Sequence, residues 1–356
     1  MIAIIKREIK NYLKHPLFWL GLLIVIWGMF GNLRPYLEIG YIEKLPEVSG
    51  EDAKIRYHPD ADISDGFVPT PQEFRRKFWE EEVEQTLVSE FEMSREESAG
   101  VIDEMKDMET REACRYLEET YGYYGAWYTY EDTAYHRGTV EEINACIEEN
   151  LKEHSFSYYF SRKFADFAGL FLAFFSTVML SVLFYQDTRK NTYELLHTKP
   201  VSPVSYVAGK TAGGFLVCVT ALFILNVLFF LLCLFYTRED GFEVYFMDFL
   251  VNSCLYVLPN QMMIVCVYEL VSLLFKTPLP AVPFLFLYML YSNLGSRDAQ
   301  GVYGYYGKMF AIMVRFPGNI FDTAPPPRAL FNQCFLLCAC GGILILSVGL
   351  WRRRRL

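Results

Sequence analysis

The chain has 356 residues, of which 53% are hydrophobic and 17% aromatic, and its formal net charge is −9. Most apolar residues gather in runs of roughly 17 to 25 with few or no charges, enough at ~1.5 Å per residue to cross ~30 Å of hydrocarbon. That excludes an ordinary soluble enzyme and a disordered or fibrous chain. The charge is as uneven: residues 34–160 hold 13 Lys/Arg against 31 Asp/Glu, while the rest holds 20 against 11. The acidity therefore belongs to one polar insert in an otherwise basic membrane protein, and it argues against nucleic-acid binding.

In residues 1–15, Ile2, Ile5, Ile9, Tyr12 and Leu13 share one arc at helical spacing, flanked by Lys6, Lys10 and Lys14. This pattern suits a helix lying in the membrane interface and held by apolar burial and anionic lipid. The plainer alternative is the inner end of the first span. His15 before Pro16 predicts a bend between that helix and a first span over 16–33. No small-residue cleavage pattern follows Phe30, so the span is read as an uncleaved anchor and not as a secretion signal.

Residues 34–160 are too polar for the bilayer and long enough to bury a core, which predicts a folded, largely helical extracytoplasmic domain. Helices are expected over 71–93, from Ser94 to about 108 with Glu97 completing a capping box, over 110–121, and from Thr139 with Glu142 to about 153. The aromatic stretch 121–135, with Gly122 and Gly125, reads as a loop or hairpin, either packed in the core or holding a ligand. Carboxylate pairs such as Glu96/Glu97 and Glu141/Glu142 read as solvated helix faces, since no calcium loop is present. Cys114 and Cys146 are the two cysteines of this block; a bridge between them is open, because sequence cannot give their separation.

Five further spans follow, over 164–184, 212–236, 249–274, 277–294 and 331–351. The fourth contains Asn260, Gln261 and Glu269, and the fifth opens on Pro278, Pro280 and Pro283. Glu269 is the one charge read deep within a span; it is either functional or bonded to a neighbouring helix. With an even number of spans both termini share a side. Lys6, Arg7, Lys10, Lys14, Arg189, Lys190, Lys199, Lys210, Lys276 and the Arg352–Arg355 tail then fall on the cytoplasmic side, as the positive-inside rule requires. Arg297, Lys308, Arg315 and Arg328 in the outer loop 295–328 are mild exceptions.

Catalytic signatures are absent: there is no His-Glu-x-x-His, no Gly-x-Ser-x-Gly, and the five histidines are scattered. Gly209, Lys210 and Thr211 imitate the end of a phosphate-binding loop, but Val204 stands where the motif needs glycine. No cofactor is called for. The cytoplasmic connection 186–210 is distinctive. It runs through Thr192, Tyr193, Glu194, Leu195 and Leu196, then Pro200, Val201 and Ser202, to Lys210 just before the third span.

That sequence of residues resembles the inner loop of the ATP-binding cassette (ABC) type-2 permeases. The N-terminal interfacial helix with Arg7 and Glu8, the six spans, the large domain between spans 1 and 2 and a re-entrant-looking segment before span 6 are similar to the same family. The resemblance implies a mainly α polytopic membrane protein. It also implies a short coupling helix over about 188–197 that docks in a groove of a separate ATPase subunit. Tyr193, Leu195 and Leu196 would be its apolar anchors, with Arg189, Lys190 and Glu194 as a polar rim. A second permease copy or a related permease would complete the pathway. Two other readings are weighed. A membrane-anchored receptor would bind its ligand through the insert; an ion-coupled carrier would need more intramembrane charges than this chain offers.

Overall fold

The computed structural model describes residues 1–45, 56–57, 61–188, 201–297, 303–304 and 307–354. The chain divides into two compact units, Ile39–Glu153 and Met1–Glu38 with His154–Leu356.

The Ile39–Glu153 unit begins with a 3-10 turn, Ile63–Asp65, capped by Asp62 and closed by Gly66 at φ 82°. Strand β1 (Phe67–Pro69) then pairs antiparallel with β2 (Tyr135–Arg137), with Val68 opposite His136. The helices are α3 (Gln72–Ser89), α4 (Arg95–Glu104), α5 (Thr110–Tyr121), α6 (Ala126–Asp132) and α7 (Val140–Glu153). The first two helices of the chain, α1 (Ile2–Leu13) and α2 (Pro16–Leu37), belong to the other unit. Trp79, Val83 and Leu87 recur at helical spacing on α3 and form the core with Val101, Met105, Ala113, Leu117 and Ala126. The Trp79 indole donates to the Ala126 carbonyl at 2.9 Å, so its one polar atom is satisfied inside that core.

Both expected capping boxes form. Glu97 N–H donates to Ser94 Oγ while Ser94 N–H donates to the Glu97 carboxylate at 2.9 Å. Thr139 and Glu142 repeat the exchange at the start of α7. The 121–135 stretch differs from the expected loop or hairpin. Gly122 at φ 71° ends α5, a helix (α6) starts after Gly125, and Tyr123, Trp127 and Tyr130 pack on the core. These three rings are therefore core packing, while Tyr124 and Tyr128 stay exposed.

Cys114 and Cys146 are free thiols, so the bridge left open by the sequence is not formed. Cys114 is packed in the α3–α5 core, whereas α7, which carries Cys146, packs on β1. Burial pushes each thiol up to about 11.

The other unit is a helical bundle made of α1 (Ile2–Leu13), α2 (Pro16–Leu37), α8 (Phe156–Thr188), α9 (Pro203–Tyr236), α10 (Phe246–Asn252), α11 (Leu258–Phe275), α12 (Ala281–Asn293) and α13 (Ala329–Arg354). On α2, Phe18, Leu22, Val25, Met29 and Leu33 form the buried seam, at the spacing that keeps one face toward a neighbouring helix. Gly21 and Gly28 lie on the same helix against the rings of Phe175 and Phe171 on α8. A π-turn, Ser253–Val257, joins α10 to α11 just ahead of Pro259; a wider turn accommodates a proline that cannot donate to the helix ladder. There Ser253 Oγ donates to Asn226 Oδ1 on α9 at 2.9 Å.

Among the described residues five helices are long and apolar enough to cross a membrane: Pro16–Leu37, Phe156–Gln186, Pro203–Tyr236, Phe246–Phe275 and Ala329–Arg353. At the expected fifth span stands α12, with 13 residues, a rise of about 20 Å against ~30 Å of hydrocarbon. Its prolines explain the late start. Pro278 and Pro280 occupy the preceding turn, and the first helical residue is Ala281.

The described residues 307–328 hold no helix or strand, yet Ala311, Ile312, Met313, Val314, Phe316 and Ile320 are buried. Side chains hold their backbone: Tyr288 and Tyr291 hydroxyls donate to the carbonyls of Phe310 and Met309, and Ile312 N–H donates to Ser292 Oγ. Irregular backbone among apolar helices is tolerated when its polar groups are satisfied in this way.

Candidate functional site

The site read from the sequence, Arg189, Lys190, Tyr193, Glu194, Leu195 and Leu196, lies outside the described residues. What the structure defines is the end of the bundle from which that loop departs. Helix α8 runs to Thr188 and α9 begins at Pro203, where Ser202 caps it by accepting the Ser205 N–H at 3.2 Å. Pro203 occupies the first helical position, where a missing N–H costs nothing.

Three other helices meet α9 there. Tyr206 stacks on Trp351 of α13 with ring centroids 3.8 Å apart, and Val207, Leu273 of α11 and Ile4 of α1 complete the cluster. The carboxyl-terminal ends of α11 and α13 and the start of α1 therefore gather where α9 begins.

Helix α1 lies against α9 through two glycines. A Cβ on Gly213 would stand 2.7 Å from that of Glu8, and one on Gly209 would stand 3.2 Å from Ile4. The four-residue spacing of Gly209 and Gly213 is the small-residue pattern by which helices approach closely. It brings Glu8 within 3.0 Å of Lys210, both almost completely buried. The triplet that imitates a phosphate loop thus has a packing role. The buried side of α1 holds Glu8 and Tyr12, so its contact face is centred on a charge, not on the apolar arc alone.

Glu269 is 2% exposed on α11, within electrostatic reach of Cys266. It is not the one buried charge of the bundle. Toward the opposite end, Lys163 donates to the carbonyls of Phe316 and Gly318, while Asp166 pairs with Arg315 and accepts the Phe316 N–H at 2.9 Å. Arg315 also donates to Asn293 at the end of α12 at 2.5 Å. This network fixes the irregular segment before α13 onto α8. Arg315 is an exception to the positive-inside bias, and its neutralisation by a buried aspartate is the physical reason it can stand there.

Residues 127–296 match the family model described as ABC-2 family transporter protein. Over that stretch, a little under half of its length, the chain is similar to the ABC-2 transporter family. The match runs from α6 past α12 and encloses both the 189–200 loop and the helices flanking it. No curated protein and no solved structure matches the chain. That family consists of transport membrane subunits that normally work with an ABC ATPase subunit, and the long apolar helices of this chain support a multi-pass membrane protein.

Proposed function

We propose that this chain is the membrane-spanning subunit of an ABC exporter in the cytoplasmic membrane, moving an amphiphilic substrate such as a peptide, an antibiotic or a lipid-like molecule. ATP would be hydrolysed by a separate ATPase subunit, and a second copy or a related permease would complete the pathway. Both termini and the 186–210 connection are cytoplasmic in this reading, and the 34–160 insert is extracytoplasmic. Six crossings are retained, α12 being the short one.

The observation that carries the reading is the family match across the loop, on helices tied together at its base by the Glu8–Lys210 pair and the Tyr206–Trp351 stack. A partner closing on ATP needs a firm lever to move the bundle, and a loop rooted in a cross-braced helix end provides one. An amphiphile is favoured because the charges of the bundle are engaged internally, as in Glu8–Lys210 and Asp166–Arg315, and large Phe, Leu and Tyr surfaces remain.

Purified chain alone should turn over no ATP. Reconstituted with its ATPase subunit, hydrolysis should rise with an amphiphile and stay flat with sodium or potassium. Turnover by the isolated chain would contradict the assignment, and stimulation by an alkali cation alone would replace the amphiphile by an ion.

A further inference from the structure

The Ile39–Glu153 unit contains a cleft of about 770 Å³, in the size range of small-ligand sites, that no part of the transport reading uses. One wall is α7. Glu142, Cys146, Glu149 and Glu153 line it, spaced by four, three and four residues, so they share one helix face. The facing wall is α3, with Phe74, Lys77 and Phe78 at the same kind of spacing, and the floor is β1 and β2 through Val68 and His136.

The two walls differ in chemistry. Phe74 and Phe78 stack at 6.3 Å, and Phe74 is left 47% exposed, because the buried face of α3 is the Trp79, Val83 and Leu87 side. Opposite stands a file of carboxylates about 16 Å long, at ~1.5 Å per helical residue from Glu142 to Glu153. Glu142 is held ionised: it accepts the Thr139 N–H, which draws its carboxyl below the usual range. Among the described lining residues Lys77 is the one Lys or Arg, and Glu81 stands 3.9 Å from it. Among the described residues no group of three His, Cys, Asp or Glu could hold a metal ion, so the acidic face fits a spread-out organic cation better than a metal.

We propose that this cleft binds a short cationic peptide, with aromatic or aliphatic side chains on Phe74 and Phe78 and its amines along Glu142, Glu149 and Glu153. Charge complementarity selects the cation: the unit carries 12 Lys/Arg against 30 Asp/Glu. The exposed Phe74 ring, backed by the half-buried Phe78, selects a ligand with apolar area to bury. Binding here requires no nucleotide and no ATPase subunit, so it stands or falls apart from the transport reading.

The test uses the full chain in phosphatidylcholine nanodiscs without ATP, with acetyl-Lys-Phe-Phe-Lys-amide as probe and calorimetry as readout. One site per chain is expected, with at least tenfold tighter binding than acetyl-Gln-Phe-Phe-Gln-amide. The E149Q/E153Q double variant should weaken binding tenfold or more, and Phe78→Ala should weaken it comparably. The E118Q/E119Q double variant, with the same charge change on α5, should leave it within twofold. No binding at millimolar peptide, equal affinity for the two peptides, or equal loss from the α5 variant would overturn the proposal, the last by showing diffuse surface attraction. Displacement of the peptide by stoichiometric calcium would overturn it in favour of a metal.

Discussion

Glu8 and Lys210 are 202 positions apart in the chain and 3.0 Å apart in the bundle. Local pattern assigns Lys210 to the end of a cytoplasmic loop and Glu8 to a basic amphipathic helix; only the approach of α1 to Gly209 and Gly213 turns them into a buried pair. The Asp166–Arg315 contact was hidden for the same reason. Glu269 stood out because its neighbours in sequence are apolar, whereas these charges sit near span ends and look ordinary there. Removing one member strands the other in a dry site, so Lys210→Met should cost about 3–5 kcal/mol of stability. The double change Glu8→Met with Lys210→Met should recover most of it, since apolar replacements of a buried pair are often tolerated. Thermal unfolding of the full chain in nanodiscs measures both. A double variant as unstable as the single would mean that other contacts of these side chains dominate.

Helices with local start signals were legible, and those set by their surroundings were not. Ser94 with Glu97 and Thr139 with Glu142 announce α4 and α7 because a capping box lies within four residues. α6 has no such box and little apolar periodicity; it forms where Gly122 and Gly125 reset the chain and Trp79 supplies a donor for Ala126. α12 is shortened by prolines that were visible, although hydropathy alone drew a longer span. The α4 box has a pH signature. Glu97 has its carboxyl lowered first by the Ser94 backbone N–H, so its contribution is present above the ordinary carboxylate range and lost as pH falls through the lowered folded value. Ser94→Ala should speed exchange of the Glu97 amide about fivefold at pH 7, the effect of losing an N-cap. The difference from the parent should shrink toward pH 3, after correction for intrinsic exchange. A difference that grows on acidification would contradict the box as the stabilising device.

At the scale of the whole molecule, segregation of charge and hydropathy made the separation of a polar insert from a membrane bundle readable, and loop residues pointed to the ABC-2 family. Invisible to that approach were the bracing of the loop end by α1 and α13 and the fixing of the segment before α13 by Lys163, Asp166 and Arg315. These contacts join parts far apart in sequence, which periodicity cannot register. The cleft between α3 and α7 was hidden likewise: its glutamates look like a solvated face until Phe74 and Phe78 are set opposite them. The central claim is that energy enters through the 189–200 loop, which lies between two helices whose bases are locked to the rest of the bundle. The double variant Leu195→Asp with Leu196→Asp places charge where an apolar anchor would dock, at a cost of several kcal/mol. The most direct measurement is co-purification of the ATPase subunit with this variant, read beside substrate-stimulated ATP hydrolysis. The account predicts that the chain still inserts and folds while both signals collapse; normal co-purification with normal stimulation would contradict it.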